Sequence, residues 1–486
     1  MPGPRVHGGP CGTLDDVTDL DRRGRLLVLV ICCSSLFVVS MDVTIVNLAL
    51  PSIQADLGAS VTSLQWTIDA YTLTLASLLL LAGSIADRVG RKRVFRVGLV
   101  LFGVGSLLCS IAPSAGALVG FRVVQAVGGA MMNPVAMSII VSVFTDPRER
   151  ARAIGAWASV VGLSMALGPL VGGALVNSVG WRSIFWLNVP VVLLAVAAAT
   201  RWVPESRSPH PRRLDPVGQV LVAVLLGGAT FAIIEGPAQG GASAAVLVAA
   251  VAAVLALVAL VPWELRRPEP LIDPRFFRSV PFAGATLVAV CAFACLSGFL
   301  FVNALYLQTA RGYSSLHAGL LTLPMAAALA VVPTVSGRLV GTRGARIPLF
   351  VGGVGLALAG TVLLFLRTDS PIWLPLTAYV LFGIGFGMVN PPITNTAVSG
   401  MPAAQAGVAS AVASTSRQIG AALGVAVIGS LVTSSVVGPL ASGLAEASHA
   451  GWVVVVGCGI AVVVLAFVTT GSWAKRTATR AAALLG

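Results

Sequence analysis

Apolar runs of about 20 residues recur along the whole chain, separated by short polar segments. A helix of about that length crosses the roughly 30 Å hydrocarbon core of a bilayer. The pattern predicts fourteen transmembrane helices, at about 26–48, 64–83, 94–112, 116–138, 153–176, 182–200, 216–235, 244–264, 282–307, 317–337, 347–366, 372–395, 405–432 and 450–472. The expected fold class is therefore an all-α polytopic membrane protein.

The positions of Lys and Arg predict how these helices are oriented. If the N-terminus is cytoplasmic, the cytoplasmic segments contain 26 of the 31 Lys and Arg residues. The outer segments contain Arg182, Arg311 and Arg367, and two more arginines, Arg122 and Arg417, lie inside spans. Because basic residues accumulate in cytoplasmic loops, both ends of the chain are expected on the cytoplasmic side of the cell membrane.

Composition excludes several classes of protein. Hydrophobic residues make up 57% of the chain and charged residues 10%, against roughly 25% charged in an ordinary soluble protein. A soluble multidomain enzyme and a disordered chain are both excluded. The net charge of +13 is spread over many loops instead of one domain, so it indicates topology and not a nucleic-acid partner.

The chemistry of the polar residues argues against an enzyme or an ATP-driven pump. A phosphate-cradling loop ends in Lys followed by Ser or Thr, whereas Lys92 and Lys475 both precede Arg. No His or Cys spacing suits a metal, and no catalytic set is visible. We therefore expect no cofactor and no metal, and any energy for transport must come from a gradient or from a separate subunit.

Three short motifs recur in the same order at an offset of about 255 residues, which identifies an internal repeat. They are GGAMMNP at 128–134 with GFGMVNP at 385–391, ALG at 166–168 with ALG at 422–424, and the glycines of 83–90 with those of 337–344. Spans 1–6 and 9–14 are thus predicted to form two six-helix halves, with spans 7 and 8 as an inserted pair. Two such halves are typical of a rocking secondary transporter whose site lies between them.

The predicted organisation follows from this repeat. It comprises a cytoplasmic tail at 1–25, an N-terminal half at 26–200, a linker with the inserted helices 7 and 8 at 201–281, a C-terminal half at 282–472 and a cytoplasmic tail at 473–486. We expect the protein to be a monomer in the lipid bilayer.

Four motifs resemble one family. Residues 41–51 (MDVTIVNLALP) are similar to the first-span signature of the fourteen-span drug:proton antiporters of the major facilitator superfamily, the QacA/EmrB type. Residues 83–93 (GSIADRVGRKR) resemble the superfamily's motif between spans 2 and 3, and Arg122 with Gln125 resembles its span-4 motif. Residues 162–173 (GLSMALGPLVGG) resemble the span-5 motif of antiporters. The resemblance implies the major facilitator fold and drug:proton antiport.

Three ionisable residues fall at a similar depth in the predicted N-terminal half. Asp42, Asp69 and Arg122 each lie about six residues, or ~9 Å, from the outer end of their spans. Charged groups inside a membrane are costly and usually functional, so we predict one charged layer that couples transport to protons. The alternative is a static ion pair that holds helices together.

The resemblance implies roles for the motif between spans 2 and 3 and for the span-5 motif. Gly83, Asp87, Arg88, Gly90 and Arg91 are predicted to form a gating loop, in which Asp87 caps the N-terminus of span 3 and pairs with a nearby Arg; the alternative is simple anchoring at the cytoplasmic surface. Gly168, Pro169, Gly172 and Gly173 are predicted to form the antiporter helix motif, for which ordinary helix packing is the alternative.

Three polar residues are possible substrate contacts. Asn133 and Asn390 occupy matching positions in the repeat, and Arg417 lies in the middle of span 13. Two carboxylates in an apolar cavity suit a small amphiphilic or cationic compound such as an antibiotic, although Arg417 leaves room for anions. The predicted function is proton-coupled efflux of such a compound by alternating access, and the alternative is an uptake symporter of the same fold.

Overall fold

A computed structural model describes residues 21–208, 214–239, 243–399, 401 and 405–485. Within those ranges, fourteen helices are long and apolar enough to cross a membrane. They are α1 Arg22–Leu57, α2 Val61–Val89, α3 Arg91–Ser110, α4 Ala115–Val143, α5 Pro147–Ser178, α6 Ser183–Trp202, α7 Pro216–Ala238, α8 Ala244–Leu265, α9 Val280–Ala310, α10 Leu323–Arg343, α11 Arg346–Leu363, α12 Trp373–Val398, α13 Ala406–Ser435 and α14 Leu440–Thr470. The predicted fold class and number of spans are confirmed.

Several helices extend beyond the predicted apolar runs. α1 has 36 residues, about 54 Å at 1.5 Å per residue, and continues past the predicted end at 48 to Leu57. It stops at Gly58, where a φ of 59° turns the chain out of the helix. α14 likewise begins at Leu440 instead of 450. Hydropathy locates the membrane-embedded part of a helix, whereas caps decide where the helix ends.

The two halves end a matching helix in the same way. α2 ends at Gly90 with φ 124°, and α10 ends at Gly344 with φ 79°. These glycines are the last members of the repeated pair of segments at 83–90 and 337–344. A positive φ favours glycine because an L side chain is strained there, which explains why both halves keep a glycine at this position.

The other repeated glycines bring helices into close contact. A Cβ added at Gly128 of α4 would lie 2.3 Å from the backbone N of Phe102 on α3, and one at Gly385 of α12 would lie 2.7 Å from the backbone N of Leu356 on α11. The same pairing, the third and fourth helices of each half, therefore depends on the same glycine. This is the tertiary reason for the repeated GGAMMNP and GFGMVNP motifs.

The inserted helices lie beside the junction of the halves. α7 packs against α2 and α13, and the indole Nε1 of Trp66 on α2 donates to Glu235 Oε1 of α7 at 2.9 Å. α8 packs mainly against α7. At the base of the pair, Trp263 Nε1 donates to Asp215 Oδ2 at 3.0 Å, and Arg267 lies 3.5 Å from Asp215 Oδ1. α7 thus contacts both halves, and α8 covers its outer side.

The helix ends lie at two faces of the protein, which we call the terminal face and the opposite face. The terminal face carries the start of α1, the α2–α3 loop and the end of α14, and the opposite face carries the turn at Gly58. Gln308 Nε2 of α9 donates to Leu48 O of α1 at 2.8 Å, and Gln65 Nε2 of α2 donates to Val425 O of α13 at 3.1 Å. Both contacts join the two halves near the opposite face.

The structure describes the two predicted terminal tails to different extents. Most of the segment 1–25 lies outside the described residues, and α1 already begins at Arg22. The segment 473–486 is almost entirely a helix, α15 Ser472–Leu485. Its Ala474 and Ala478 are buried, and Thr477 Oγ1 accepts a hydrogen bond from Val280 N at 3.0 Å. The C-terminal segment is therefore packed on the beginning of α9.

Candidate functional site

The centre of the N-terminal half is a buried ion pair. Arg122 Nη1 on α4 lies 2.5 Å from Asp42 Oδ2 on α1, and both side chains are almost completely buried. Arg122 Nε also donates to Thr67 O of α2 at 3.2 Å, and its Cζ lies 4.0 Å from the ring centroid of Tyr71. The structure therefore brings together two of the three residues predicted as a charged layer.

Neutral polar side chains complete the hydrogen bonding of Asp42. Gln125 Nε2 donates to Asp42 Oδ1 at 2.9 Å, and Asn188 Nδ2 of α6 donates to the same oxygen at 3.3 Å. Gln125 Nε2 also lies 2.8 Å from Ser106 Oγ of α3. Buried charges are stable only when paired and hydrogen-bonded, and here residues from α1, α3, α4 and α6 meet that requirement. We call Asp42, Ser106, Arg122, Gln125 and Asn188 the polar cluster.

Asp69 does not belong to the polar cluster. Its carboxyl is fully buried, Oδ1 accepts a long hydrogen bond from Thr72 at 3.5 Å, and Oδ2 has no partner among the described residues. Tyr71 faces Arg122, and side chains two positions apart on a helix point in different directions. No described contact joins Asp69 to the ion pair of Asp42 and Arg122, so the single charged layer stays a prediction; depth along a helix does not determine which way a side chain points.

The gating loop is held by the chain that follows α6. Asp87 lies in the last turn of α2 and pairs with Arg91, whose Nη2 lies 2.9 Å from Asp87 Oδ1. The expectation that Asp87 caps α3 is wrong: the N-cap is Gly90 without a side-chain bond, and Lys92 N instead donates to Glu205 Oε1 at 3.1 Å. The reason is that α2 continues through Val89, so Asp87 remains inside that helix.

Backbone hydrogen bonds reinforce this contact. Arg91 N donates to Ser206 O at 2.9 Å, and Ser208 N donates to Asp87 O at 3.1 Å. Gly83 lies one helical turn before Asp87, and a Cβ added there would make an ordinary contact of 3.8 Å with Pro134 Cβ. The side chain of Arg88 is exposed. The gating loop is thus fastened within the N-terminal half, and Glu205 is a contributor that the sequence reasoning missed.

Removing the carboxylate of Glu205 is expected to loosen this loop. Glu205→Ala should lower the free energy of unfolding by about 0.5–2 kcal/mol, because it removes the acceptor at the N-terminus of α3. Thermal unfolding of the purified protein measures the change. The control is Glu149→Ala, which removes a partly exposed ion pair with Arg25 at 3.5 Å and should cost less. Equal losses in the two variants would contradict the role given to Glu205.

The span-5 motif lies where α5 meets both α1 and the C-terminal half. A Cβ added at Gly168 would lie 2.1 Å from Thr44 Oγ1, and one at Gly173 would lie 2.7 Å from Ser315 O. Pro169 O would be 2.3 Å from a Cβ added at Gly319. The glycines therefore serve tight helix contact, and two of these contacts cross between the halves near the opposite face. The remaining motif residue, Gly172, would contact Ile45 Cγ1 at 3.1 Å.

The possible substrate contacts lie apart from the polar cluster. Arg417 Nη2 donates to Thr394 Oγ1 of α12 at 2.6 Å, and Asn390 lies one helical turn before Thr394. Asn133 of α4 has a buried Oδ1 without a partner in the described part of the chain. Arg417 and Asn390 thus share one region of the C-terminal half, while Asn133 belongs to the N-terminal half.

Several residues of the site had no sequence signal strong enough to find them. Asn188, Ser106 and Thr394 are ordinary polar residues within apolar helices. The sequence shows only that each is a polar residue within a span. Many other polar residues in spans hydrogen-bond to the backbone of their own helix and have no part in the site. Position in space was needed to separate the two groups.

Comparison with known proteins agrees with this architecture. Residues 32–425 match the family model described as Major Facilitator Superfamily. The chain is 35% identical over 412 residues to the "Multidrug resistance protein Stp" of Mycobacterium tuberculosis (strain CDC 1551 / Oshkosh), covering 85% of this chain and 76% of that protein. It is 36% identical over 433 residues to the "Tetracenomycin C resistance and export protein" of Streptomyces glaucescens, covering 89% of this chain and 80% of that protein.

A solved structure shows the same fold. A bacterial homolog of the human lysosomal transporter Spinster, in an inward-facing and unoccupied conformation, aligns with a TM-score of 0.63 and 19% identity over 95% of this chain and 99% of that one. Two six-helix halves around buried polar residues define a multi-pass membrane transporter of small molecules. The chain belongs to the Major Facilitator Superfamily, as its motifs indicated.

Proposed function

We propose that this protein exports a small amphiphilic compound across the cytoplasmic membrane in exchange for protons. The observation that carries the proposal is a pair of buried carboxyl groups in the N-terminal half with different surroundings. Asp42 is paired with Arg122 at 2.5 Å, whereas Asp69 Oδ2 has no partner within the described ranges. Charged groups retained inside a membrane usually serve transport.

Orientation supports export from the cytoplasm. The terminal face carries most of the basic residues, so the positive-inside rule places it and both chain ends in the cytoplasm. The described contacts between the halves at Gln65 and Gln308 then lie on the outer side. On the cytoplasmic side, a Cβ added at Gly155 of α5 or Gly337 of α10 would meet no atom of the described residues within 4 Å, whereas one at Gly162 would lie 3.8 Å from Ala330 Cα of α10. In the proposed cycle this is the conformation that is open to the cytoplasm.

In the proposed cycle, the substrate enters from the cytoplasm while the halves are apart on that side. The halves then close on the cytoplasmic side and separate at the contacts around Gly173 and Gln65, so that the site opens outward. Asp69 binds a proton from outside as the substrate leaves, and it releases the proton to the cytoplasm after the return. Asp42, which is paired with Arg122, is the second carboxyl group that takes part in proton coupling. Protons move inward as the substrate moves outward, and no bond of the substrate changes.

The energy for this cycle comes from the proton gradient, without a resident cofactor. One charge moving across 100 mV supplies about 2.3 kcal/mol, and each unit of pH difference adds about 1.36 kcal/mol. A monomer in the bilayer suffices, because each half contributes one wall of the site.

The relatives favour an antibiotic-like substrate and export. Their names refer to multidrug resistance and to tetracenomycin C resistance and export. The glycine-rich span-5 motif also resembles that of antiporters. Uptake by proton symport is the alternative, and the direction of movement under an imposed gradient separates the two.

The first experiment measures direction and coupling. A panel of antibiotics tested on a host that expresses the protein, with and without a proton uncoupler, identifies a substrate. That substrate is then followed in everted membrane vesicles that are acidified inside. Accumulation that the uncoupler abolishes supports antiport, whereas accumulation only under the reversed gradient supports uptake.

Asp69→Asn is expected to reduce proton-coupled transport at least about tenfold, a loss that corresponds to about 1.4 kcal/mol. Asparagine preserves size and hydrogen bonding but cannot exchange a proton. Asp369→Asn is the matched control, because Asp369 is an exposed acid between α11 and α12. Unchanged coupled transport in the Asp69 variant, with the protein present in the membrane, would contradict the role of Asp69.

A further inference from the structure

Arg417 is a cation within a membrane-spanning helix that lacks a counter-ion. Its Nη2 donates to the hydroxyl of Thr394 at 2.6 Å, and its Cζ lies 5.8 Å from the ring centroid of Phe293. Its Nε is buried and has no hydrogen-bond partner among the described residues. No carboxylate of the described residues forms an ion pair with it.

Arg122 shows what a fully accommodated arginine looks like in the same protein. That guanidinium has a carboxylate oxygen at 2.5 Å, the amide oxygen of Gln125 at 2.6 Å and a backbone carbonyl. Arg417 has one hydroxyl and one ring face. An unpaired charge in the membrane is costly, so the difference between the two arginines requires an explanation.

The C-terminal half provides no acid near Arg417. After Asp273, the chain contains only two acidic residues, Asp369 and Glu446. Asp369 lies between α11 and α12, and Glu446 lies near the start of α14, so both are near the opposite face. Arg417 is the twelfth residue of α13, about 16 Å along a helix that starts at the terminal face. Since no described acid from the rest of the chain pairs with Arg417 either, an anion from outside the chain can occupy this position.

The surroundings of Arg417 suit an aromatic acid. Phe293 of α9 and Phe386 of α12 meet edge to face with centroids 5.1 Å apart. Asn390, one turn before Thr394 on α12, adds an amide on the same side. Arg417, Thr394 and Asn390 are all partly exposed, and they lie in the part of the helices nearer the terminal face. A guanidinium can bind a carboxylate with two parallel hydrogen bonds. The partly exposed ring of Phe293 offers an apolar surface beside it, and the buried ring of Phe386 supports Phe293 from behind.

We propose that Arg417, with Thr394 and Asn390, binds the acidic oxygen group of an aromatic amphiphile, whose ring lies against Phe293. The group is a carboxylate or an ionised phenol or enol. As an assignment of the transported compound, this rests on the proposed efflux function. As a binding site, it stands on the geometry alone, so it is tested by equilibrium binding without a proton gradient.

The binding experiment uses two probes with the same ring and opposite charge. Purified full-length protein in a neutral detergent is titrated with 1-naphthoate and with 1-naphthylmethylammonium, and calorimetry gives the dissociation constants. Arg417→Met should weaken 1-naphthoate binding about tenfold or more, the equivalent of at least about 1.4 kcal/mol. Arg417→Lys should retain part of the affinity, since it keeps the charge but loses the planar fork. Arg480→Met, which removes an exposed charge on α15, should leave binding unchanged.

The unfolding temperature without ligand is a second measurement, and it distinguishes a ligand-binding arginine from one that only supports the fold. Because Arg417 lacks a counter-charge, Arg417→Met should unfold at the same or a higher temperature than the parent protein. Adding 1-naphthoate should raise the unfolding temperature of the parent and not of the variant. A clear loss of stability in the ligand-free variant would show that Arg417 supports the fold and would overturn the proposal.

Three further results have defined meanings. Equal binding of 1-naphthoate by the parent and Arg417→Met would overturn the proposal. The proposal would also be overturned if phosphatidylglycerol micelles, but not 1-naphthoate, stabilised the parent protein and failed to stabilise Arg417→Met. The partner of Arg417 would then be a lipid headgroup. Arg417-dependent binding of 1-naphthoate together with absent proton-driven export in vesicles would support the site and contradict the proposed function instead.

Discussion

Asp42→Asn is expected to abolish proton-coupled transport and to destabilise the protein at the same time. The substitution keeps a hydrogen-bonding group beside Gln125 and Asn188 but leaves Arg122 without its counter-charge at 2.5 Å. Removing one partner of a buried ion pair costs about 3–5 kcal/mol. Thermal unfolding of the purified protein and coupled transport in everted vesicles measure the two effects.

The double variant Asp42→Asn with Arg122→Gln separates structure from coupling. Removing both charges takes away the unpaired arginine, so most of the lost stability should return, since a neutral replacement of a buried pair is often tolerated. Transport should not return if Asp42 has a role in coupling. Recovery of both stability and coupled transport would show that the pair is only a static link between α1 and α4, and the proposal for Asp42 would then fail.

Gly173→Ala is expected to prevent the halves from closing at the opposite face. The new Cβ would lie 2.7 Å from Ser315 O and 2.9 Å from Leu316 Cα, and backbone atoms cannot rotate away as a side chain can. Overpacking of this kind costs about 1–3 kcal/mol. Each 1.4 kcal/mol shifts the equilibrium between the two conformations about tenfold. The variant should populate the conformation in which the halves separate there, and transport should fall.

Distances between spin labels at the ends of α5 and α10 on the terminal face test this directly. They should shorten in Gly173→Ala, because the halves close on one side as they open on the other. Gly155→Ala is the control on the same helix, since its Cβ would meet nothing within 4 Å; alanine there favours the helix slightly. Unchanged label distances in Gly173→Ala would show that the contact with Ser315 is not part of the closure.

The repeat shows why so much of the fold could be predicted. Gly90 and Gly344, and Gly128 and Gly385, were found as sequence matches, and each pair has one structural task in both halves. Backbone conformation and close helix contact restrict a position to glycine, so these requirements leave a signal in the sequence. The predicted domain boundaries at 201 and 281 stay predictions.

The gating loop marks the limit of local reasoning. Asp87 pairs with an arginine four residues away, which helix periodicity predicts. The residue that binds the N-terminus of α3 is Glu205, 113 positions after Lys92. No local spacing could find it, since the contact exists only because α6 returns the chain to the same face as the α2–α3 loop.

The sequence by itself determined the number of spans, the internal repeat, the predicted orientation and the depth of Asp42, Asp69 and Arg122. Each depends on hydropathy, charge or backbone constraints that act along the chain. Only the tertiary structure decided which of these charges meet: Asp42 with Arg122, Asp69 without an ionic partner among the described residues, and Arg417 beside Thr394. The reason is physical, because a side chain's partners depend on the rotation of its helix and on which helix packs against it.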